Sequence, residues 1–104
     1  MQMEDLIDWP QVVALYAELS QLTRSPVVEL NHAVAVAQAG SPEAALQIVE
    51  RLALDDYQYL HSTRAELLRR LGRAEEARAA YRRALELTRG EPERRFLQRR
   101  LAEL

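Results

Sequence analysis

Few side chains in this 104-residue sequence could do chemistry, and their spacing does not favour catalysis. His32 and His61 stand 29 residues apart, outside any metal-binding motif, so we expect them to pack or lie at the surface. Asp55 and Asp56 could form an acid–base pair, but Asp56 more simply caps a helix that follows. The sequence contains neither a glycine-rich phosphate loop nor a nucleophile elbow. We therefore predict a protein that is not an enzyme and that holds no metal and no cofactor.

The strongest charge feature is a basic cluster near the C-terminus, formed by Arg94, Arg95, Arg99 and Arg100. On a helix this spacing gives a broad basic face. Residues 1–54 carry a net charge of −5 and residues 55–104 a net charge of +3, which gives −2 for the chain. With no exposed aromatic residue between the arginines, direct DNA contact is disfavoured. We expect a solvated cap or a contact with an acidic protein surface.

Two further side chains could contact a partner but have simpler interpretations. Trp9 stands at a helix start, where packing in the core or at a domain junction is favoured over anchoring a partner. Asn31 lies among apolar residues, so we expect a buried amide that bonds a neighbouring turn.

Proline and glycine positions divide the chain into helices that would position these side chains. Proline is favoured at the first position of a helix, and glycine just after its end. The prolines are Pro10, Pro26, Pro42 and Pro92, and the glycines are Gly40, Gly72 and Gly90. We predict helices at about 9–23, 26–39, 42–54, 56–71, 74–89 and 92–104. The first carries an apolar stripe of Val12, Leu15, Tyr16, Leu19 and Leu22. No segment alternates with period two over the length of a strand, so no sheet is expected.

A shift of 32 residues aligns one half of the chain with the other. Gly40 then aligns with Gly72, and Ala45 with Ala77. A repeat of this length, with glycine between two helices, is typical of helix–turn–helix solenoids. Small residues at fixed positions allow the two helices of such a hairpin to approach closely.

Residues 72–87 resemble the second half of a tetratricopeptide repeat. Gly72 matches the glycine between helices, Ala77 and Ala84 match the small residues, and Tyr81 matches the aromatic residue. Residues 26–54 resemble the repeat more weakly, because Val49 replaces the aromatic residue. The resemblance implies an all-α superhelical stack of antiparallel helix hairpins with about six helices. We expect a leader at 1–8 and one domain at 9–104, composed of an orphan helix 9–24, repeats 25–54 and 56–89, and a capping helix 91–104.

Four segments together resemble the extracytoplasmic-function sigma factors that carry a long tetratricopeptide-like C-terminal extension. They are Asp8–Gln11, Leu30–Ala37, His61–Arg73 and Glu91–Leu97. Within them, His32 stands where the family usually has arginine. The resemblance implies an interaction or regulatory domain in bacterial transcription initiation, whose partners are the sigma-factor core domains or RNA polymerase. The alternatives are an interaction module of an unrelated bacterial multidomain protein and, less favoured by the net charge, a small DNA-binding helical protein.

No apolar run reaches the ~18 residues of a membrane span, and the N-terminus lacks the pattern of a signal peptide. We therefore expect a cytoplasmic protein without membrane contact. In a tetratricopeptide stack the first helix of each pair lines the concave face, which predicts where a partner binds. The predicted residues are Val27, Leu30, Val34, Gln38, Tyr59, Ser62, Glu66, Arg69 and Arg70. The alternative is that two repeats are too few for a groove and that its apolar end packs on helix 9–23.

Overall fold

A computed structural model describes residues 7–104, which form six α-helices without any strand. They are α1 (Trp9–Thr23), α2 (Pro26–Gln38), α3 (Pro42–Glu50), α4 (Gln58–Arg70), α5 (Ala74–Leu87) and α6 (Glu91–Glu103). The predicted all-α class is confirmed. The predicted leader at 1–8 lies outside the described residues except for its last two. None of these six helices combines the length and the apolar character that crossing a membrane requires.

Proline stands at the first or second position of α1, α2, α3 and α6, as predicted. Asp8 and Ser25 cap the first two of these helices. The Asp8 carboxylate accepts a hydrogen bond from the Gln11 amide at 3.2 Å, and the Ser25 hydroxyl accepts one from the Val28 amide at 3.4 Å. These side chains satisfy amides that have no carbonyl partner within the helix.

The predicted cap of α4 by Asp56 is wrong. Tyr57 occupies the cap position, and its side chain makes no capping hydrogen bond. The exposed Asp56 carboxylate instead lies 3.4 Å from the Arg83 guanidinium of α5. The reason is that α4 begins at Gln58, two residues later than predicted, which leaves Asp56 outside the helix.

Gly40 and Gly72 end α2 and α4 in the same conformation. Their φ angles are +110° and +76°, a region in which a Cβ atom would be strained. The amide of the following residue donates to the carbonyl five residues earlier, at 3.2 Å after Gly40 and 2.9 Å after Gly72. Gly90 does not share this role, contrary to the prediction. It precedes α6 as its cap residue with φ −95°, whereas α5 ends at Leu87.

The described residues belong to two compact units, one extending through Leu52 and the other covering Ala53–Leu104. In the first unit α2 packs against α1 and α3, and in the second α5 packs against α4 and α6. The start of α4 follows that of α2 by 32 residues, and the start of α5 follows that of α3 by 32. The aligned pairs Ala33 and Ala65, Ala45 and Ala77, and Val49 and Tyr81 are all buried. The internal repeat is therefore present in the structure, while the single domain over 9–104 stays a prediction.

The apolar stripe predicted on α1 divides into two parts. Val12 and Tyr16 are half-buried, but Leu15, Leu19 and Leu22 are 58%, 41% and 84% exposed. No side chain of α1 is fully buried. Within its unit, α1 therefore uses only one side of its apolar surface.

Candidate functional site

An open groove in the second unit lies between the first turns of α4 and α6. Its volume is about 320 Å³, enough for one large side chain of a bound segment. The lining residues are Gln58, Tyr59 and Ser62 of α4 and Pro92, Glu93, Phe96 and Leu97 of α6. The Tyr59 side chain is 49% exposed, so the groove offers aromatic surface to solvent. Polar atoms at the rim can orient a polypeptide backbone.

Helical spacing explains why these residues share the groove. Tyr59 and Ser62 are three residues apart and therefore neighbours on one face of α4. The Ser62 hydroxyl donates to the Tyr59 carbonyl at 3.3 Å, within the same turn. Prolines cannot continue the preceding turn, so Pro92 opens α6 and brings Phe96 onto the same side one turn later.

The position of α6 next to α4 depends on Glu66, one turn beyond Ser62. The Glu66 carboxylate accepts hydrogen bonds from the Tyr81 hydroxyl of α5, from Arg69 at 3.3 Å and from Arg100 of α6 at 3.1 Å. One half-buried carboxylate therefore joins three helices. Such a charged network specifies one arrangement of the helices, because removing any member leaves charge unpaired.

The electrostatics of this network keep Glu66 ionised. Burial raises the pKa of Glu66, but hydrogen bonds from Tyr81 and Arg69 and the charges of Arg69 and Arg100 outweigh it and lower the pKa. Burial and the hydrogen bond to the Glu66 carboxylate raise the pKa of Tyr81, which keeps its hydroxyl protonated as a donor. The arrangement is therefore a stable donor–acceptor network and not an acid–base pair.

The structure gives the predicted partner-binding residues of the second unit different roles. Tyr59 and Ser62 line the groove, and Arg70 is exposed at the end of α4. Glu66 and Arg69 belong to the network beneath it, so they support the site and do not present free charges. Phe96 was not among the predicted site residues, although its position one turn after Pro92 could have indicated it.

The predicted basic face of α6 is narrower than the sequence indicates. Arg100 pairs with Glu66, and its guanidinium lies 5.0 Å from the centre of the Phe96 ring. It therefore holds the aromatic wall of the groove. Arg94 is half-buried, whereas Arg95 and Arg99 are exposed on the outer side of the helix.

In the first unit the predicted partner-binding residues of α2 are also divided. The exposed members are Val27, Val34 and Gln38. The outward position predicted for Leu30 is wrong, because its side chain is 3% exposed. It shares the i, i+3, i+7 stripe of Ala33 and Ala37, which faces the core of the unit. The predicted burial of Asn31 is also wrong, since its neighbouring position on the helix is exposed.

Both histidines make local contacts. His32 Nδ1 lies 2.8 Å from the Glu29 carboxylate, which also accepts a hydrogen bond from Ser20 of α1. His61 Nε2 lies 2.7 Å from the Asp55 carbonyl oxygen. Between residues 7 and 104, no three histidine or acidic side chains come together in a group that could hold a metal ion.

No model of a known protein family matches the chain. The chain is similar to a protein of Rhizobium meliloti (strain 1021) that is named an uncharacterized protein, with 46% identity over 99 residues. The match covers 93% of this chain but only 23% of the relative. The region shared by the two sequences is therefore a small part of a much longer polypeptide in that relative.

Proposed function

We propose that the chain is a non-catalytic interaction and regulatory domain from the C-terminal extension of an extracytoplasmic-function sigma factor. In this role it supports or regulates transcription initiation in the bacterial cytoplasm. The observation that carries the proposal is the apolar groove between α4 and α6, because an exposed tyrosine beside a concave surface suits the capture of a protein side chain.

The sequence resemblance supports the same site. Two of the four segments that resemble these sigma factors, His61–Arg73 and Glu91–Leu97, contribute Ser62, Phe96 and Leu97 to the groove. The first of them also contributes Glu66, on which the spacing of the two helices depends. The segments that carry the resemblance thus include residues that build the groove.

The chemistry of the groove favours an extended protein segment as the partner. Tyr59, Phe96 and Leu97 provide an apolar pocket for one anchor side chain, while Gln58 and Ser62 can bond the backbone beside it. The partners that fit this proposal are the sigma-factor core domains or RNA polymerase. Arg95 and Arg99, exposed on α6, would then contact acidic protein surface and not DNA.

Binding to the purified sigma-factor core domains and to core RNA polymerase tests this proposal. We expect Tyr59→Ala with Ser62→Arg to weaken the binding of this chain by about tenfold or more, since aromatic anchors dominate interface energies. Arg82→Glu, at an exposed position of α5, is the matched control and should bind normally. Equal affinity of the groove variant and the parent chain, with unchanged circular dichroism, would show that this groove is not the contact.

The alternative is an interaction module of an unrelated bacterial multidomain protein. The length of the Rhizobium meliloti relative favours keeping it, because 77% of that polypeptide lies outside the match of 23%. Helical repeats serve many unrelated functions. The alternative predicts that the groove binds a protein segment while both the sigma-factor domains and RNA polymerase fail to bind.

A further inference from the structure

The exposed leucines of α1 form a second surface, distinct from the groove. Leu15, Leu19 and Leu22 follow one another at intervals of four and three residues and therefore lie on one side of the helix. We call these three residues the leucine face. Three neighbouring large aliphatic side chains that are 41–84% exposed are costly to leave in water.

The internal repeat shows that the leucine face is not required by the packing within a hairpin. Shifts of 32 and 64 residues place α1 on α3 and α5, with Pro10 on Pro42. The leucine face then aligns with Gln47, Arg51 and Leu54 in one case and with Ala79, Arg83 and Glu86 in the other. Only Leu54 is a large apolar residue, so the repeat itself calls for polar or small residues at these positions.

We propose that the leucine face is the docking surface for an amphipathic helix of the same, longer polypeptide, contributed by residues outside this chain. In the relative that is 46% identical, most of the polypeptide lies beyond the matched region and can supply such a helix. The docked helix would extend the helix packing that α1 already makes with α2 on its other side.

The small size of the leucine face favours an occupant from the same polypeptide over a second molecule. Stable complexes between separate proteins bury about 800 Å² on each partner, which three side chains cannot provide. A tethered segment needs less area, because its effective concentration reaches the millimolar range. A docked helix with aliphatic residues at matching intervals satisfies this requirement.

Charge defines the occupant further. Glu18 is exposed and lies three residues after Leu15 and four before Leu22, so its carboxylate stands beside the leucine face. The docked helix should therefore carry lysine or arginine next to its aliphatic stripe. A basic flank also disfavours a second copy of α1, which would bring two Glu18 carboxylates together.

Hydrogen exchange of the α1 amides tests this proposal when the 104-residue chain is compared with the full-length polypeptide that contains it. We expect at least tenfold slower exchange in the full-length polypeptide. The triple variant Leu15→Gln, Leu19→Arg, Leu22→Glu, which introduces residues that α3 and α5 carry at the aligned positions, should abolish the difference. Ala79→Arg, at the position of α5 aligned with Leu15, is the matched control and should preserve it.

Three results would overturn the proposal. One is equal exchange of α1 in the short chain and the full-length polypeptide. Another is a concentration-dependent dimer of the short chain in analytical ultracentrifugation that Leu19→Arg abolishes, since the occupant would then be a second copy. The third is a native protein no larger than this chain of 11.9 kDa.

The folding of the variant and the proposed function can be checked separately. The triple variant of the short chain should keep its thermal unfolding midpoint, because the leucine face is exposed there. Tyr59→Ala in the groove should leave the protection of α1 intact. A loss of transcription function by groove variants, or its absence, therefore does not bear on the leucine face.

Discussion

Glu66 of α4 and Arg100 of α6 form an ion pair, with 3.1 Å between the carboxylate Oε2 and the guanidinium Nε. The pair joins residues 34 apart in sequence. Because Arg100 also lies over the Phe96 ring, this single contact links the spacing of α4 and α6 to the aromatic wall of the groove. The shape of the site therefore depends on a charged group that does not itself line it.

We predict that Glu66→Gln destabilises the protein at neutral pH by about 1–3 kcal/mol, since a neutral amide cannot replace a carboxylate that accepts from two arginines. Chemical denaturation at pH 7, followed by circular dichroism, measures this loss. Glu43→Gln, at an exposed position of α3, is the control and should change stability by less than about 0.5 kcal/mol. Equal stabilities of the two variants would contradict the role given to Glu66.

The same carboxylate predicts a pH dependence. The pKa of Glu66 is lower in the folded protein than its ordinary value of 4.5, so its contribution is complete above that value. The contribution is lost as the pH falls through the lowered pKa. Between pH 6 and pH 3 the parent protein should therefore lose more stability than Glu66→Gln. Part of the acid sensitivity should remain in the variant, because the pKa of Glu29 in the first unit is also lowered. Parallel losses in both proteins would refute this prediction.

The three glycines should respond differently to substitution by alanine. Gly40→Ala and Gly72→Ala should each cost about 1–2 kcal/mol, because φ is positive at both positions. Space is available at both, so the cost is conformational. At Gly90 a Cβ atom would meet only the flexible end of the Glu93 side chain, and a smaller loss is expected. Thermal unfolding of the three variants gives the comparison, and a Gly90 variant less stable than the others would contradict it.

Leu97 should be the most sensitive residue of the groove. Its side chain is 1% exposed, so Leu97→Ala should cost about 2–5 kcal/mol and loosen α6. Leu22→Ala removes the same atoms from a side chain that is 84% exposed and should cost less than about 0.5 kcal/mol in the isolated chain. Denaturant titrations of both variants, which share the same chemical change, test the packing of α6 directly.

The sequence predicted the helices and the repeat because local chemistry determines both. Proline can begin a helix without losing a hydrogen bond, and Gly40 and Gly72 supply the left-handed residues that end one. Gly90 shows the limit of this reasoning, since glycine also serves as the residue before a helix with negative φ.

The groove could be predicted only in part. Tyr59 and Ser62 follow from the face of α4 that the repeat defines, but the contact of Glu66 with Arg100 depends on tertiary packing that no local pattern encodes. Periodicity placed the leucines of α1 on one stripe without indicating which side of the helix has a partner. For the same reason Leu30, which belongs to the core stripe of α2, was predicted to point outward.

The most direct test of the proposed function is promoter-specific transcription in vitro by RNA polymerase with the full-length sigma factor, comparing the parent with Tyr59→Ala, Ser62→Arg. We predict that the groove variant loses about tenfold or more of the transcript while the Arg82→Glu control retains it, at equal amounts of folded factor. Full transcription by the groove variant would contradict the proposal that this domain supports transcription initiation through its groove.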